Sequence, residues 1–298
     1  MSRYNPSFII NSKTRLSGGI SRFTHLVDIS DNHNFDLVAM IACNIPKTYY
    51  NVQPGKNIFI LKENGLDATI TLPIGNYNEK NLPIVLKGLL DTASNSLGNS
   101  FTYNVTLPNR DTEVDTRKWI FTCSNTIVPV SFEILSEEDI DEILGFDKGI
   151  YQFTNGSLTS INVINFNLSH YFTVRTDLCS NQGNSRIDHN ILQSIGIPRG
   201  LDFGETVNYT ISDLKSQSKL LNNKGNKVYT FELVNDRGEV IDLNGHDWSL
   251  EVSLYKYDDV NELVKKDLIA KHLVKLDDKK VKNEDKNKSN IVLKEEAK

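Results

Sequence analysis

Residues 228–255, VYTFELVNDRGEVIDLNGHDWSLEVSLY, decide the fold class of this chain. Apolar and polar residues alternate around Tyr229 and Phe231, and they alternate again from Trp248 onward. A period of two is typical of a strand with one buried and one solvent-exposed face. The segment Asn235-Asp-Arg-Gly between the two strands has turn composition. The stretch therefore predicts antiparallel β-structure, with Trp248 buried on the inner face near Tyr229, Phe231 and Leu250.

The pattern extends over most of the chain. Residues 35–45, FDLVAMIACNI, are almost continuously apolar and predict a strand that is buried on both faces. The Asn64-Gly65 pair predicts a hairpin turn, because both residues tolerate positive φ. Further strands are predicted at residues 58–62, 68–72, 101–107, 118–122, 129–134, 162–166, 171–177, 206–211 and 239–243.

Two helices are predicted among these strands. The first runs from about Glu79 to Ala93 after a capping Asn78, with leucines and a valine at helical spacing along one face. The second follows Ser136-Glu-Glu-Asp139, a near capping box, and ends at Leu144, where Gly145 can adopt the left-handed conformation.

The composition changes after Tyr257. Residues 258–276 place Val260, Leu263, Val264, Leu268 and Leu273 at roughly helical spacing, and residues 277–298 are rich in Lys, Asp, Glu and Asn, which predicts disorder. From Lys256 onward there are twelve Lys against ten Asp and Glu, a net charge of +2, which leaves −7 on the rest. The expected division is an N-terminal extension (1–20), one β domain (21–257), and a helix with a charged tail (258–298).

Composition excludes several classes of protein. The 298 residues carry a net charge of −5, so nucleic-acid binding, which needs a basic surface, is not expected. Three cysteines far apart in sequence form neither a zinc motif nor a disulfide framework, and free thiols fit a reducing cytosol or nucleus. The N-terminus shows no secretory signal, and no apolar run is long enough to span a membrane.

Enzymatic motifs are absent from the sequence. The six histidines include no His-x-His pair of the kind that metal-binding cupins use, and no nucleophile elbow, Walker A loop or dinucleotide fingerprint occurs. We therefore expect no catalytic, cofactor-binding or metal-ligating residues, no turnover and no bound transition metal. Asp188-His189 and His246-Asp247 are adjacent in sequence, but strand neighbours point to opposite faces, so they do not predict a dyad.

Two binding alternatives remain open. The segment from Asp242 to Asp247 is rich in oxygen ligands and resembles a weak calcium loop, although turn chemistry explains the same residues. The thirteen Phe, eleven Tyr and two Trp residues could form a carbohydrate-binding face, although most occupy predicted core positions.

Four segments, in this order, resemble the penton (vertex capsid) proteins of virophages and Polinton-like viruses. They are the strand from Asp36 through Ile45-Pro46 to Tyr49-Tyr50, the stretch from Ile70 to Tyr77, Leu144-Gly145-Phe146, and the closing hairpin from Leu233 to Ser249. The likeness covers roughly residues 20–257.

The resemblance implies a single jelly roll, that is, two sheets packed face to face, with helical insertions in the loops. It also implies a non-enzymatic structural protein that forms homopentamers at five-fold vertices of an icosahedral capsid. The expected partners are a double-jelly-roll major capsid protein and other minor capsid proteins. The expected location is the virion, after assembly in the host cytoplasm, virus factory or nucleus. The alternative is a carbohydrate- or receptor-binding β-sandwich of the spike or lectin type.

Overall fold

The structure is a computed structural model that describes residues 5–29, 35–108, 111–112, 114–135, 139–167, 169–180, 190–198, 200–222 and 224–256. Every strand pair in this part of the chain is antiparallel. The strands are β1 (Ser7–Asn11), β2 (Ser17–Gly18), β3 (Arg22–Leu26), β4 (Leu37–Pro46), β5 (Ile58–Glu63), β6 (Leu66–Thr71), β7 (Tyr103–Thr106), β8 (Ile120–Cys123), β9 (Val130–Ile134), β10 (Gly149–Gln152), β11 (Ser157–Thr159), β12 (Tyr171–Thr176), β13 (Cys179–Ser180), β14 (Ile191–Gly196), β15 (Thr206–Thr210), β16 (Lys219–Leu221), β17 (Val228–Val234) and β18 (Ser249–Tyr255). The helices are α1 (Leu82–Ser96), α2 (Asp139–Leu144) and α3 (Leu214–Gln217).

Eight of these strands form a jelly roll. One sheet has the order β1-β18-β4-β15, with β16 pairing the other end of β4, and the second has the order β14-β12-β17-β3. The eight strands can be lettered B to I in chain order, as β1, β3, β4, β12, β14, β15, β17 and β18. In these letters the two sheets have the orders B-I-D-G and C-H-E-F. This is the strand order of the jelly roll, and the predicted all-β jelly-roll fold is confirmed.

The core of the jelly roll contains the predicted aromatic cluster. Trp248 is 2% exposed, and it shares one buried cluster with Tyr229, Phe231 and Leu250. Its ring packs edge-on against Phe23 at a centroid distance of 5.6 Å, and its indole N–H donates to a main-chain carbonyl at 2.9 Å. The predicted burial of Trp248 is therefore confirmed.

A second unit is inserted between β4 and β12. It contains a four-stranded sheet, β10-β9-β5-β6, and a three-stranded sheet, β11-β8-β7, and α1 packs against β6 and β7. Its own buried cluster surrounds Trp119, Phe121 and Phe132 and shares no residue with the core of the jelly roll. The described residues between 51 and 167 therefore pack around a core of their own, and the division of the chain into domains stays a prediction. Alternating patterns in both units look alike, so the sequence could not show which sheet each strand joins.

The predicted N-terminal extension (1–20) contains a strand of the jelly roll. β1 pairs with β18 over five residues, from Ser7 with Ser253 to Asn11 with Ser249, and Ile10 is fully buried. Residues 7–11 are therefore the first strand of the jelly roll. A short edge strand has too few residues for a clear alternation, and its burial depends on a partner more than 230 residues away.

Local signals had mixed outcomes. Asn64 (φ 51°) and Gly65 (φ 80°) form the predicted hairpin turn. The first helix begins after Asn81, three residues later than predicted. Asn78 instead accepts hydrogen bonds from main-chain N–H groups in the preceding turn.

Two predicted strands are not formed as expected. Residues 162–166 are described but contain no strand, and residues 239–243 contribute one isolated bridge.

The second helix ends as predicted. Gly145 has φ 74°, and its N–H donates to the Asp141 carbonyl at 2.7 Å. The capping residues Ser136 to Glu138 lie outside the described residues, as does the tail from Tyr257.

Candidate functional site

Histidines and cysteines are the first candidates for a metal or nucleophile site. His33, His189 and His272 lie outside the described residues. Among the described residues, no group of three His, Cys, Asp or Glu side chains could hold a metal ion. Burial raises the pKa of the Cys179 thiol to about 12 and also raises the pKa of Cys43 and Cys123, so these thiols stay protonated.

The Asp242–Asp247 segment has the contacts of a turn. Asn244 (φ 49°) and Gly245 (φ 84°) both have left-handed backbone conformations, and the Asn244 N–H donates to Asp242 at 2.8 Å. The Ser12 hydroxyl donates to Asp247 at 2.6 Å. Both carboxylates are therefore engaged by protein donors, as the turn interpretation requires.

A buried carboxylate in the insertion was missed by sequence reasoning. Glu63, at the end of β5, is fully buried. It accepts hydrogen bonds from the hydroxyls of Tyr103 (2.5 Å) and Ser94 (2.9 Å) and from the Asn99 amide (2.9 Å). Burial and the bond to Glu63 raise the pKa of Tyr103, which keeps this hydroxyl a donor. A Glu beside an Asn-Gly turn has the sequence signature of a surface residue, and its partners lie 31 to 40 residues away.

Charged pairs join the insertion to the jelly roll. The turn after β17, residues 235–239, contacts the insertion twice: Arg237 donates to Glu142 of α2 at 2.6 Å, and Lys56 donates to Glu239 at 3.0 Å. Hydrogen bonds from Asn235 and Lys56 lower the pKa of Glu239. Asp141, next to Glu142, has its pKa raised to about 6 by burial. We call this contact region, residues 235–239 with Lys56 and Glu142, the joint.

An open cleft of about 640 Å³ lies beside the joint. Its walls come from both units. The jelly roll contributes residues 47–49 after β4 and residues 200–203 before β15, and the insertion contributes residues 76–80 before α1 and residues 166–167. At its rim Phe203 is 44% exposed and stacks on Tyr50 with ring centroids 5.9 Å apart. A smaller cavity of about 220 Å³ adjoins the joint, and Tyr49 lines both spaces.

The two outer faces of the jelly roll differ in chemistry. On the B-I-D-G sheet, Leu37, Ala39 and Tyr255 form a small apolar cluster, which α3 and neighbouring aliphatic side chains extend. On the C-H-E-F sheet, Arg22 and Arg175 flank Glu232. Their guanidinium nitrogens lie 3.6 and 4.0 Å from the carboxylate oxygens of Glu232. The described residues contain no helix long and apolar enough to cross a membrane.

The strand order of the two sheets defines this protein as a jelly roll with an inserted unit. The structure is similar to the crystal structure of the mavirus penton protein, with a TM-score of 0.51 and 7% sequence identity. The similarity covers 85% of this chain and 99% of the mavirus protein. No protein-family model and no curated protein matches the sequence. At this identity the likeness shows the shared fold, in agreement with the resemblance found in the sequence.

Proposed function

We propose that this protein is a penton: a structural protein, without enzymatic activity, that forms homopentamers at the five-fold vertices of an icosahedral capsid. The observation that carries the proposal is structural similarity over 85% of this chain and 99% of the mavirus penton protein. The four sequence segments that resemble penton proteins support it independently.

The surface chemistry is compatible with a ring. A closed five-fold ring is a heterologous assembly in which each subunit presents two different complementary surfaces. The outer faces of the two sheets differ, since one carries the apolar cluster at Leu37 and the other the charged residues around Glu232. Ile9, on the edge strand β1, is 75% exposed and offers apolar surface to a neighbour.

The partners proposed are further copies of this chain, a double-jelly-roll major capsid protein and other minor capsid proteins. The proposed location is the virion vertex, with assembly in the host cytoplasm, virus factory or nucleus. Nucleic-acid binding is not part of the proposal, because the residues before Lys256 carry a net charge of −7.

The test is mass photometry and negative-stain imaging of the purified protein, alone and with a candidate major capsid protein. The expected result is a pentamer, alone or at the vertices of assembled shells. A particle that stays monomeric in both preparations would contradict the proposal.

The alternative from the sequence, a carbohydrate- or receptor-binding β-sandwich, is favoured by one observation: the exposed Phe203 ring at the rim of the cleft. The two functions are compatible, since a capsid protein can also bind a ligand.

A further inference from the structure

We propose that the cleft between the jelly roll and the insertion binds a neutral glycan. The cleft volume of about 640 Å³ falls within the roughly 300–1,000 Å³ that small-molecule sites occupy. Its walls belong to two separately packed units, and boundaries between units are preferred locations for such sites.

Polar side chains in the cleft are available for a ligand. Asn76 is half-buried in the wall, and within the described part of the chain its side chain makes no hydrogen bond. Asn167 is exposed, and its amide oxygen receives one long contact of 3.4 Å from Lys47. An amide group offers two donors and an acceptor, which matches the paired hydroxyls of a sugar ring.

The charges lining the cleft balance. Lys47 and Lys80 face Glu79 and Asp202, so the cleft has no net charge for an anion such as phosphate. The Lys47 ammonium already donates to the Leu201 carbonyl at 2.5 Å, and burial lowers its pKa. A neutral, hydroxyl-rich ligand therefore fits better than a charged one.

The aromatic wall supplies an apolar surface. Phe203 is 44% exposed while it stacks on Tyr50, so part of its ring remains accessible. Flat exposed aromatic rings beside amide groups suit a pyranose ring, which has an apolar C–H face and a polar edge.

A buried tyrosine separates the cleft from the smaller cavity. Tyr49 is 6% exposed and lines both the cleft and the smaller cavity, and its hydroxyl has no hydrogen-bond partner within the described residues. A buried polar group without a partner costs about 1–3 kcal/mol, so a ligand hydroxyl that reached it would gain affinity. Burial raises the pKa of Tyr49 to about 12, so the group is a proton donor at neutral pH.

The experiment is saturation-transfer NMR on the full chain with five probes at millimolar concentration: maltotetraose, cellotetraose, chitotetraose, N-acetyllactosamine and 3′-sialyllactose. We expect saturation transfer to at least one neutral probe. Phe203→Ala and Asn76→Ala should each weaken that binding about tenfold or more, and Phe203→Trp should retain it. Thermal melts should show that all variants are folded.

Tyr171→Ala is the matched control, because Tyr171 is a 40% exposed aromatic residue that does not line the cleft. It should bind like the wild type. The proposal is overturned if no neutral probe shows transfer, if 3′-sialyllactose alone does, or if Tyr171→Ala loses as much binding as Phe203→Ala. The test uses the soluble chain and no capsid partner, so its result is independent of the penton assignment.

Discussion

At the residue scale, buried side chains with specific partners carry the stability of both units. Trp248 packs against Phe23, and its indole N–H donates to a main-chain carbonyl. Glu63 is fully buried and accepts hydrogen bonds from three side chains. Single substitutions at these two positions report separately on the jelly roll and the insertion, because their cores share no residue.

Trp248→Ala should reduce the free energy of unfolding by about 3–5 kcal/mol, because it removes a large buried aromatic side chain. Chemical denaturation monitored by circular dichroism measures the change. Val240→Ala, at a position 48% exposed, is the control and should change stability little. A loss below about 1 kcal/mol for Trp248→Ala would mean that the described packing is wrong.

Glu63→Ala should destabilise the insertion by about 3 kcal/mol or more, because two buried hydroxyls and a half-buried amide lose their acceptor. Glu63→Gln keeps one acceptor oxygen and should cost less. Denaturant unfolding followed by the fluorescence of Trp119 reports on this unit, preferably in a Trp248→Phe background. Glu133→Gln, at a partly exposed carboxylate of β9, is the matched control. Equal stability of Glu63→Ala and the control would refute a role for the buried network.

Asp141 should make stability fall as the pH rises. Burial raises its pKa from the ordinary value of 3.8 to about 6 in the folded state, so the folded state binds the proton more tightly. The free energy of unfolding therefore falls as the pH rises from about 3.8 to about 6, because burying the charged carboxylate is unfavourable. Above about pH 6 this loss of stability is complete. Asp141→Asn should therefore raise the free energy of unfolding by roughly 1 kcal/mol at pH 7, a modest effect because solvent partly screens the charge. At pH 3.5 it should change stability little. Denaturant melts across this range would contradict the assignment if the gain were the same at both ends.

At the element scale, strand pairing builds two units and a turn joins them. The joint is polar: two ion pairs connect the turn after β17 to the insertion, and the two apolar cores remain separate. Partly exposed ion pairs contribute little to global stability, so their main effect is to restrict the position of one unit relative to the other.

Arg237→Ala combined with Lys56→Ala should lower the free energy of unfolding by about 1 kcal/mol or less, yet increase hydrogen exchange at residues 235–239. Hydrogen–deuterium exchange with mass spectrometry measures this. The control is Lys62→Ala, which breaks ion pairs inside the insertion and should leave exchange in the turn unchanged. Unaltered exchange in the double variant would show that the ion pairs do not hold the joint.

At the scale of the whole molecule, the jelly roll is the assembly unit proposed, and the tail beyond it is a candidate tether. Residues 258–298 lie outside the described residues, so the interpretation rests on the apolar spacing of 258–276 and the nearly balanced charge. A short amphipathic helix is marginal alone in water and needs a surface to pack on, either on its own domain or on a neighbouring capsid protein.

A chain that ends at Tyr257 should therefore fold normally but enter capsids poorly. Co-expression with the major capsid protein, followed by quantification of the penton in purified particles, measures incorporation. Circular dichroism of the truncated chain is the control for folding. Incorporation at the wild-type level would show that the tail is dispensable.

The amino-acid sequence by itself determined the local features. Alternation predicted the all-β class and the burial of Trp248, and the Asn-Gly pair predicted the hairpin turn, because these properties depend on neighbouring residues. Only the tertiary structure decided that β1 belongs to the jelly roll, that residues 51–167 pack as a second unit, and that Glu63 is buried. The joint and the cleft likewise bring together residues far apart in the chain, such as Lys56 and Glu239. An alternating pattern states which face of a strand is buried, but the choice of partner strand follows from long-range packing, which no local pattern encodes.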